Sequence, residues 1–426
     1  MGSMFDSSPQ APFKVLVIGG SYGGLSAALN LRDLCSGRAP RCGEPAAEGE
    51  PPVAPMQVTV EITIIDERDG FYHLIGSPLA LASESFAEKA WIKFDEMPAL
   101  RAPHNKDVIR VRQGSVQAVD PARKVATFVA RGAGLQTEEV RYDYLVVAAG
   151  LRRVWPVVPQ SLRRKQYLFE AAEHIRAVTG GRNGVVVVGG GAVGVEMASE
   201  LKLVHPHLKV TLVHSRDKLL SAEPLPDNVG ERALELLREG GVDVLLPHRL
   251  DRAEEIKDES GNVGVRVHFA NGDSMLADQV IMAVSKSVPT TTFLPKDVLD
   301  EQGYVRIQPS LNFPSETPNA ADHFAAGDLV RWSGIKRCGG AMHMGHFAAV
   351  NVHQRMQQKL SGAEPKLSEL SEVPPMMGLA VGKKAVAYWP EAGMTSGEDV
   401  LKAFFGDDLG FTICYNYLQL GGDKAT

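Results

Sequence analysis

Hydrophobic and polar positions along the chain fall into one pattern that occurs twice. An unbroken apolar run, Val15-Leu16-Val17-Ile18, leads straight into Gly19-Gly20-Ser21-Tyr22-Gly23-Gly24. Such a run, closed by glycine, predicts a strand buried on both faces, and the apolar periodicity of residues 24–34 predicts a helix after it. Far along the chain Val185-Val186-Val187-Val188 runs into Gly189-Gly190-Gly191-Ala192-Val193-Gly194, with a helix predicted over 192–203. Each helix leads to a further strand. Residues 58–65 alternate and end at Asp66, while residues 209–213 end at His214-Ser215-Arg216. In the first round, antiparallel strands are predicted at 116–120, 124–129 and 138–142. A buried strand follows at 144–148, closed by Gly150, and Pro156 to Pro159 mark a linker. The second round has a helix over 228–238 ended by Gly240-Gly241, a hairpin at Asn271-Gly272 joining 263–269 to 274–277, and a strand at 280–284. The order strand, glycine turn, helix, strand, hairpin, strand is therefore a structural duplication and not a short-period repeat. Residues 37–55, rich in Gly, Pro, Ala and Glu, lack periodicity and read as a surface insertion. Beyond Ser361 a short region with a strand at 384–389 is too small for a large core of its own.

A glycine-rich turn at the end of a parallel strand aims backbone N–H groups and a positive helix end at a pyrophosphate. Two such turns point to two dinucleotides, read most economically as one flavin and one nicotinamide placed for hydride transfer. The predicted fold class is α/β, with two Rossmann-like dinucleotide-binding domains and a small C-terminal α+β region. Residues 13–150 with 280–360 are expected to form the FAD-binding domain, 151–279 the NAD(P)H-binding domain and 361–426 the C-terminal region. In the first loop Gly19 makes the tight turn and Gly24 lets helix pack on strand, with Gly20 and Gly23 counted among the cofactor-binding positions. Ser21 stands where glycine is usual and is small enough for close approach. Asp66 is placed to accept both ribose hydroxyls; a solvated strand-end carboxylate is the plainer alternative. Gly327-Asp328 offers close backbone approach and a carboxylate for a ribityl hydroxyl, although Gly-Asp alone is a common turn. Gly189, Gly191 and Gly194 are the second-loop counterparts. The strand after that loop ends without a carboxylate, and Ser215 and Arg216 are candidates for a 2′-phosphate, which favours NADPH over NADH or allows both.

The chain has 426 residues, 44% hydrophobic and 23% charged, long enough for two or three domains. Its 45 basic and 51 acidic residues leave a net charge of −6, which argues against nucleic acid as the main partner. No apolar run reaches the roughly 20 residues needed to span a bilayer and no secretory signal is visible, so a cytoplasmic protein is expected. Peripheral membrane contact and oligomeric state are left open. Cys35, Cys42, Cys338 and Cys414 include no C-x-x-C pair, and no two stand out as the neighbouring thiols a disulfide reductase keeps beside its flavin. His343 and His346 have metal-pair spacing but no third ligand, and no metal is expected.

In this order the residues resemble the two-dinucleotide flavoproteins of the pyridine nucleotide–disulfide oxidoreductase superfamily, above all the apoptosis-inducing-factor-like and ferroptosis-suppressor-like branch. Type II NADH dehydrogenases look similar too. The likeness runs over about residues 13–355. It is carried by Val17-Ile18-Gly19-Gly20-Ser21-Tyr22-Gly23-Gly24, Asp66 with Phe71-Tyr72-His73, Val147-Ala148-Ala149-Gly150, Gly189-Gly190-Gly191-Ala192-Val193-Gly194-Val195-Glu196 and Ala326-Gly327-Asp328. The resemblance implies a glutathione-reductase-like fold with FAD on the first loop and NAD(P)H on the second. Ala149 and Gly150 are then counted with the FAD positions, and Asp328 lies near the ribityl–pyrophosphate. It also implies that Glu196 lies near the nicotinamide, where a carboxyl can orient the carboxamide. Lys336 falls roughly where the resembling reductases approach the flavin, and a positive charge there would steady the anionic reduced ring; a solvated loop lysine is the alternative. Two departures concern the crossovers, where Ala148-Ala149-Gly150 replaces Ala-Thr-Gly and Ala283-Val284-Ser285 lacks glycine. The implied activity is that of an FAD-dependent NAD(P)H oxidoreductase passing electrons to a quinone-like acceptor. A non-turnover redox-sensing flavoprotein and a biosynthetic flavin oxidase are the alternatives. The aromatic tail (Tyr388, Trp389, Phe404, Phe405, Phe411, Tyr415, Tyr417) reads first as core and second as a quinone slot or membrane dock.

Overall fold

The computed structural model describes residues 11–41, 55–101, 108–132, 135–257, 263–284 and 287–422. Cys42, most of the expected surface insertion and Ser285 of the second crossover lie outside them. The elements that build the site begin with β1 (Phe13–Ile18), α1 (Tyr22–Cys35), β2 (Val60–Asp66), β3 (Ile109–Asp120), β4 (Val125–Arg131), β5 (Leu135–Arg141) and β6 (Tyr144–Val147). Then come β7 (Val185–Val188), α2 (Ala192–Val204), β8 (Val210–Val213), α3 (Asp227–Glu239), β9 (Asp243–Leu245), β10 (Leu250–Lys257), β11 (Val263–Phe269), β12 (Ser274–Ala277) and β13 (Gln279–Met282). The chain closes with β14 (His323–Ala325), α4 (Cys338–Ser361), β15 (Met377–Val381), β16 (Lys384–Trp389), β17 (Gly393–Gly397), α5 (Glu398–Phe404) and α6 (Phe411–Tyr417).

The first sheet has seven strands in the order β14-β6-β1-β2-β3-β4-β5. Its centre is parallel, with Ile18 of β1 opposite Ile65 of β2 and Val147 of β6, and the β3-β4-β5 side is antiparallel. Val15 to Ile18 are all buried, as an apolar run covered on both faces requires. Helix α1 is buried along its whole length because it lies between this sheet and α4. That explains why its sequence has no clean polar stripe. The crossing is tight: Ser26 Oγ donates to Met342 O at 2.6 Å, and a Cβ on Gly345 would stand 2.2 Å from Gly23 O. So β14 and α4, which follow the second glycine loop in the chain, return to the first sheet.

The second sheet is parallel, in the order β9-β8-β7-β13, and beside it lies the antiparallel β10-β11-β12. The two rounds share the predicted order, and each interposes further elements before its antiparallel strands: short helices and strands over 70–101 in the first, α3 and β9 in the second. Helix α1 starts at Tyr22, two residues earlier than periodicity alone indicates, because the glycine turn itself delivers the chain into helix. The C-terminal region forms its own antiparallel sheet, β15-β16-β17. Met377, Leu379, Val381 and Val386 of that sheet share one apolar cluster with Met197 and Leu201 of α2 and with Val229 and Ala233 of α3. A region too short to build a core thus completes its core by packing on the second unit. No helix among the described residues is long and apolar enough to cross a membrane.

Candidate functional site

The first glycine loop is shaped by backbone sterics. Gly19 has φ +106, a conformation that disfavours a side chain, and its N–H donates to Ile65 O at 2.8 Å. A Cβ on Gly24 would lie 1.7 Å from Gly19 O, so only glycine lets α1 start this close to the strand. No side chain caps α1 at Ser21, which leaves the first-turn amides open. Asp66, at the end of the neighbouring strand, reaches the loop: Oδ2 accepts from Gly20 N at 2.6 Å and Oδ1 from Arg68 N at 2.7 Å. Burial raises its pKa, and the two N–H donors pull the other way. A cavity of about 350 Å³ opens here, lined by Gly19, Asp66, Arg68, Ala149, Arg152 and Thr290. Gly150 follows at φ +66, and its carbonyl accepts from Thr290 N at 3.0 Å.

The second loop repeats this construction. Gly189 has φ +122 and donates to Val213 O at 2.9 Å, and a Cβ on Gly194 would lie 1.8 Å from Gly189 O. A Cβ on Gly191, which precedes α2, would meet open space, and again no side chain caps the helix. Where Asp66 stands in the first unit, His214 stands in the second: Gly190 N donates to His214 Nδ1 at 3.1 Å. That bond leaves Nε2 to donate to Ser221 Oγ at 3.2 Å, so the ring is neutral. Burial and the nearby Arg216 hold its pKa below the usual histidine value. Sequence reading noted the missing carboxylate but not that an imidazole takes its contact. Arg216 Nη1 donates to Ser221 O at 2.9 Å, and Ser215 and Arg216 are both exposed at this rim.

A third group of residues meets the first loop. Gly23 lies where a Cβ would be 3.2 Å from Ala341 O and 3.7 Å from Ala326 O, so the first loop, the strand before Gly327 and the start of α4 converge. Gly327 has φ +87 and its N–H points at Met344 Sδ, 3.2 Å away. A cavity of about 190 Å³ opens between Asp328, Lys336, Gly339, Gly340, His343 and Met344. No side chain caps α4, so its positive end faces this space. Burial raises the Asp328 pKa, while Lys336 and Arg153 lower it. Burial also lowers the Lys336 pKa, against the pull of Asp328. Lys336 Nζ donates to Val330 O at 2.9 Å and sits 4.8 Å from the Tyr304 ring centre, so it is anchored at the cavity wall. His343 is exposed there; His346 is buried, and burial pushes its pKa down to about 4.

Glu196 is more enclosed than a first-turn surface residue. Ala380 N of β15 donates to its Oε1 at 3.3 Å, and burial, with Glu200 nearby, pushes its pKa up to about 8. Glu200, on the next turn, is 3% exposed and is likewise pushed up to about 8 by burial. Both carboxyls stay protonated in the folded protein over a range where the unfolded chain, with a value near 4.5, has released its protons. The contribution of these two carboxyls to stability therefore falls as pH rises from about 4.5 to about 8 and is level again above it, while His73, His174 and His346, which burial holds down at about 4, contribute in the opposite sense. Glu200→Gln is expected to flatten this fall, which thermal melts of parent and variant between about pH 5 and pH 9 would read; parallel profiles would contradict it.

Two further contacts are invisible in sequence. His73, fully buried, pairs its Nδ1 with Tyr22 Oη at 3.0 Å and its Nε2 with Leu409 O at 3.0 Å, tying the C-terminal region to the residue after Ser21. Cys338 Sγ and Cys414 Sγ lie 3.9 Å apart. No pair of thiols stands out in sequence because these two are 76 positions apart, and only the fold brings them together. Of the tail aromatics, Phe405 and Phe411 are buried while Phe404 and Tyr417 are 44% and 42% exposed, so the segment is core on one side only.

A family model described as pyridine nucleotide-disulphide oxidoreductase matches residues 13–345. Among curated proteins, oxidoreductase OXR1 of Ajellomyces capsulatus is 51% identical, over 99% of this chain and 90% of its own length. Ferroptosis suppressor protein 1 of Taeniopygia guttata is 24% identical, over 81% of this chain and 82% of its own. Among solved structures, the sulfide:quinone oxidoreductase of Aquifex aeolicus shares the fold with a TM-score of 0.62 at 18% identity, covering 96% of this chain and 92% of that one.

Proposed function

From the premise that the chain belongs to the pyridine nucleotide-disulphide oxidoreductase family, whose members bind FAD and NAD(P)H, we propose that it is an NAD(P)H-dependent reductase of a small quinone-like acceptor. The observation that carries this reading is the paired construction of the two loops. Each has a glycine turn, an uncapped helix and a strand-end side chain accepting the N–H of the second glycine, Asp66 from Gly20 and His214 from Gly190. Two dinucleotide cradles of opposite strand-end character suit two different dinucleotides.

The chemistry FAD supplies when bound is acceptance of a hydride from the nicotinamide and release of the electron pair to a second substrate. In this reading Gly19, Gly20, Ser21, Gly23 and Gly24 give the backbone approach and helix end for its pyrophosphate, with Ala149 and Gly150 flanking. Asp66 holds the adenosine ribose and Gly327-Asp328 the ribityl chain. Lys336 and the open amides of α4 supply positive potential where negative charge develops. Gly189, Gly191 and Gly194 seat the nicotinamide dinucleotide. Glu196, protonated near neutral pH, can donate its O–H to the carboxamide oxygen. The quinone class is supported by the name of the sulfide:quinone oxidoreductase relative in fold and by the one-sided exposure of the aromatic tail.

The deciding experiment is anaerobic rapid mixing of the flavin-loaded protein with NADPH or NADH, followed by a soluble quinone. Bleaching of the flavin absorbance and its recovery on quinone addition are expected. Flavin that neither nucleotide bleaches overturns the reading; bleaching without recovery overturns the quinone part and favours a redox-sensing role.

At the rim of the second loop, Ser215 and Arg216 are the candidates to hold a 2′-phosphate, since the strand before them ends in His214 and not in a carboxylate. Arg216→Ala is expected to raise KM for NADPH about 10-fold to 100-fold, the worth of one or two charge-assisted hydrogen bonds, and to leave KM for NADH unchanged. Steady-state kinetics with both nucleotides check this, and equal effects on the two would remove Arg216 from the phosphate site.

A further inference from the structure

The described thiols divide into two kinds. Cys35 is buried on α1 with Sγ 3.9 Å from Met356 Sδ, and burial pushes its pKa up to about 12, which makes it inert. Cys338 and Cys414 face one another instead, with Sγ atoms 3.9 Å apart across the junction of α4 and α6. A disulfide closes that distance to about 2.05 Å, a move that small side-chain rotations at two contacting residues can supply. The two thiols differ in kind. Cys338 is the first residue of the 24-residue helix α4, where the uncapped positive end favours a thiolate, and it is partly exposed. The hydrogen bond with Cys414 and the backbone of Gly339 hold its pKa below the usual thiol value, despite burial. Cys414, 4% exposed, is raised by the same hydrogen bond and by burial, and so keeps its proton.

We propose that Cys338 and Cys414 form a redox-active dithiol that a small peroxide converts to a disulfide, with Cys338 as the attacking and Cys414 as the resolving thiol. The Cys338 sulfur attacks one peroxide oxygen, the O–O bond breaks, and the departing hydroxide takes a proton to leave as water, giving a sulfenic acid. The Cys414 sulfur, releasing its proton, attacks the Cys338 sulfur; the S–S bond forms, the S–O bond breaks and a second water leaves. In sum two thiols lose two electrons and one hydrogen peroxide becomes two waters. The narrow exposure of the pair selects a small oxidant over a protein disulfide. The bond would fasten α6 to α4 next to the point where His73 already links Leu409 to Tyr22. The proposal is independent of the acceptor reading, since it needs neither NAD(P)H nor a quinone.

The test uses the flavin-loaded protein, reduced with dithiothreitol, freed of it, and treated with hydrogen peroxide. Loss of two of the four thiols is expected, with a non-reducing peptide map showing Cys338 joined to Cys414. In Cys414→Ser a sulfenic acid at Cys338 is expected, trapped by dimedone; in Cys338→Ser neither a bridge nor a trapped sulfenic acid at Cys414. Oxidised parent protein in which both residues remain alkylatable, or in which the bridge joins another cysteine, overturns the proposal. The peptide map of the parent decides this even if a serine variant fails to fold.

Discussion

A Gly194→Ala protein is expected to carry its FAD and yet accept hydride from NADPH or NADH at least about 100-fold more slowly than the parent. The new methyl carbon would stand 1.8 Å from Gly189 O and 3.2 Å from Ala283 Cβ. The nearer atom is backbone, held in the turn by its place at the end of β7, and cannot rotate aside. The start of α2 must therefore move off the turn, by an ångström or more, carrying Glu196 and the open amides with it. A displacement of about 1 Å between reacting groups costs on the order of 100-fold in rate. The first loop belongs to a different sheet, so flavin content should be kept. Rapid-mixing absorbance together with the flavin-to-protein ratio reads both parts. A parent-like bleaching rate in a fully loaded variant would show that this turn does not seat the nicotinamide dinucleotide.

Asp66→Ala should do the opposite and empty the flavin site. Two ribose hydroxyls held by one carboxylate are worth about 3 kcal/mol as charge-assisted hydrogen bonds, so FAD affinity should drop about 100-fold or more. The variant also strips an acceptor from Gly20 N and Arg68 N, both bonded to this carboxylate, so the loop keeps only its backbone bond from Gly19 N to Ile65 O of β2. Asp66→Asn keeps one acceptor oxygen and should fall between parent and alanine variant. The absorbance ratio of flavin to protein after gel filtration is the measurement, and full occupancy in Asp66→Ala would assign the ribose to another group. Together the two variants separate the cradles, one losing its flavin and the other losing only its reductant.

Much of this was legible in sequence because its causes are local. Positive φ at Gly19 and Gly189, and the absence of room for a Cβ at Gly24 and Gly194, restrict those positions to glycine whatever surrounds them. Runs such as Val15 to Ile18 and Val185 to Val188 announce strands covered on both faces. Even Asp66 could be singled out, since the end of the strand after a glycine loop sits beside that loop in this kind of unit. The fold class and the family followed from the order of such motifs.

What the sequence by itself determined, then, is the two cradles and the class of molecule they suit, because backbone conformation and strand burial are encoded within a few residues. What only the tertiary structure decided are the contacts made across the chain. His214 taking the N–H of Gly190, Glu196 enclosed under β15, and Cys338 brought against Cys414 all depend on which surfaces the folded chain presses together. Burial sets the protonation of the first two, and proximity sets the reactivity of the third. Both arise from packing between segments apart in the chain: β8 against the second loop for His214, the C-terminal sheet on α2 for Glu196, and α6 against the start of α4 and the first core for Cys338 and Cys414.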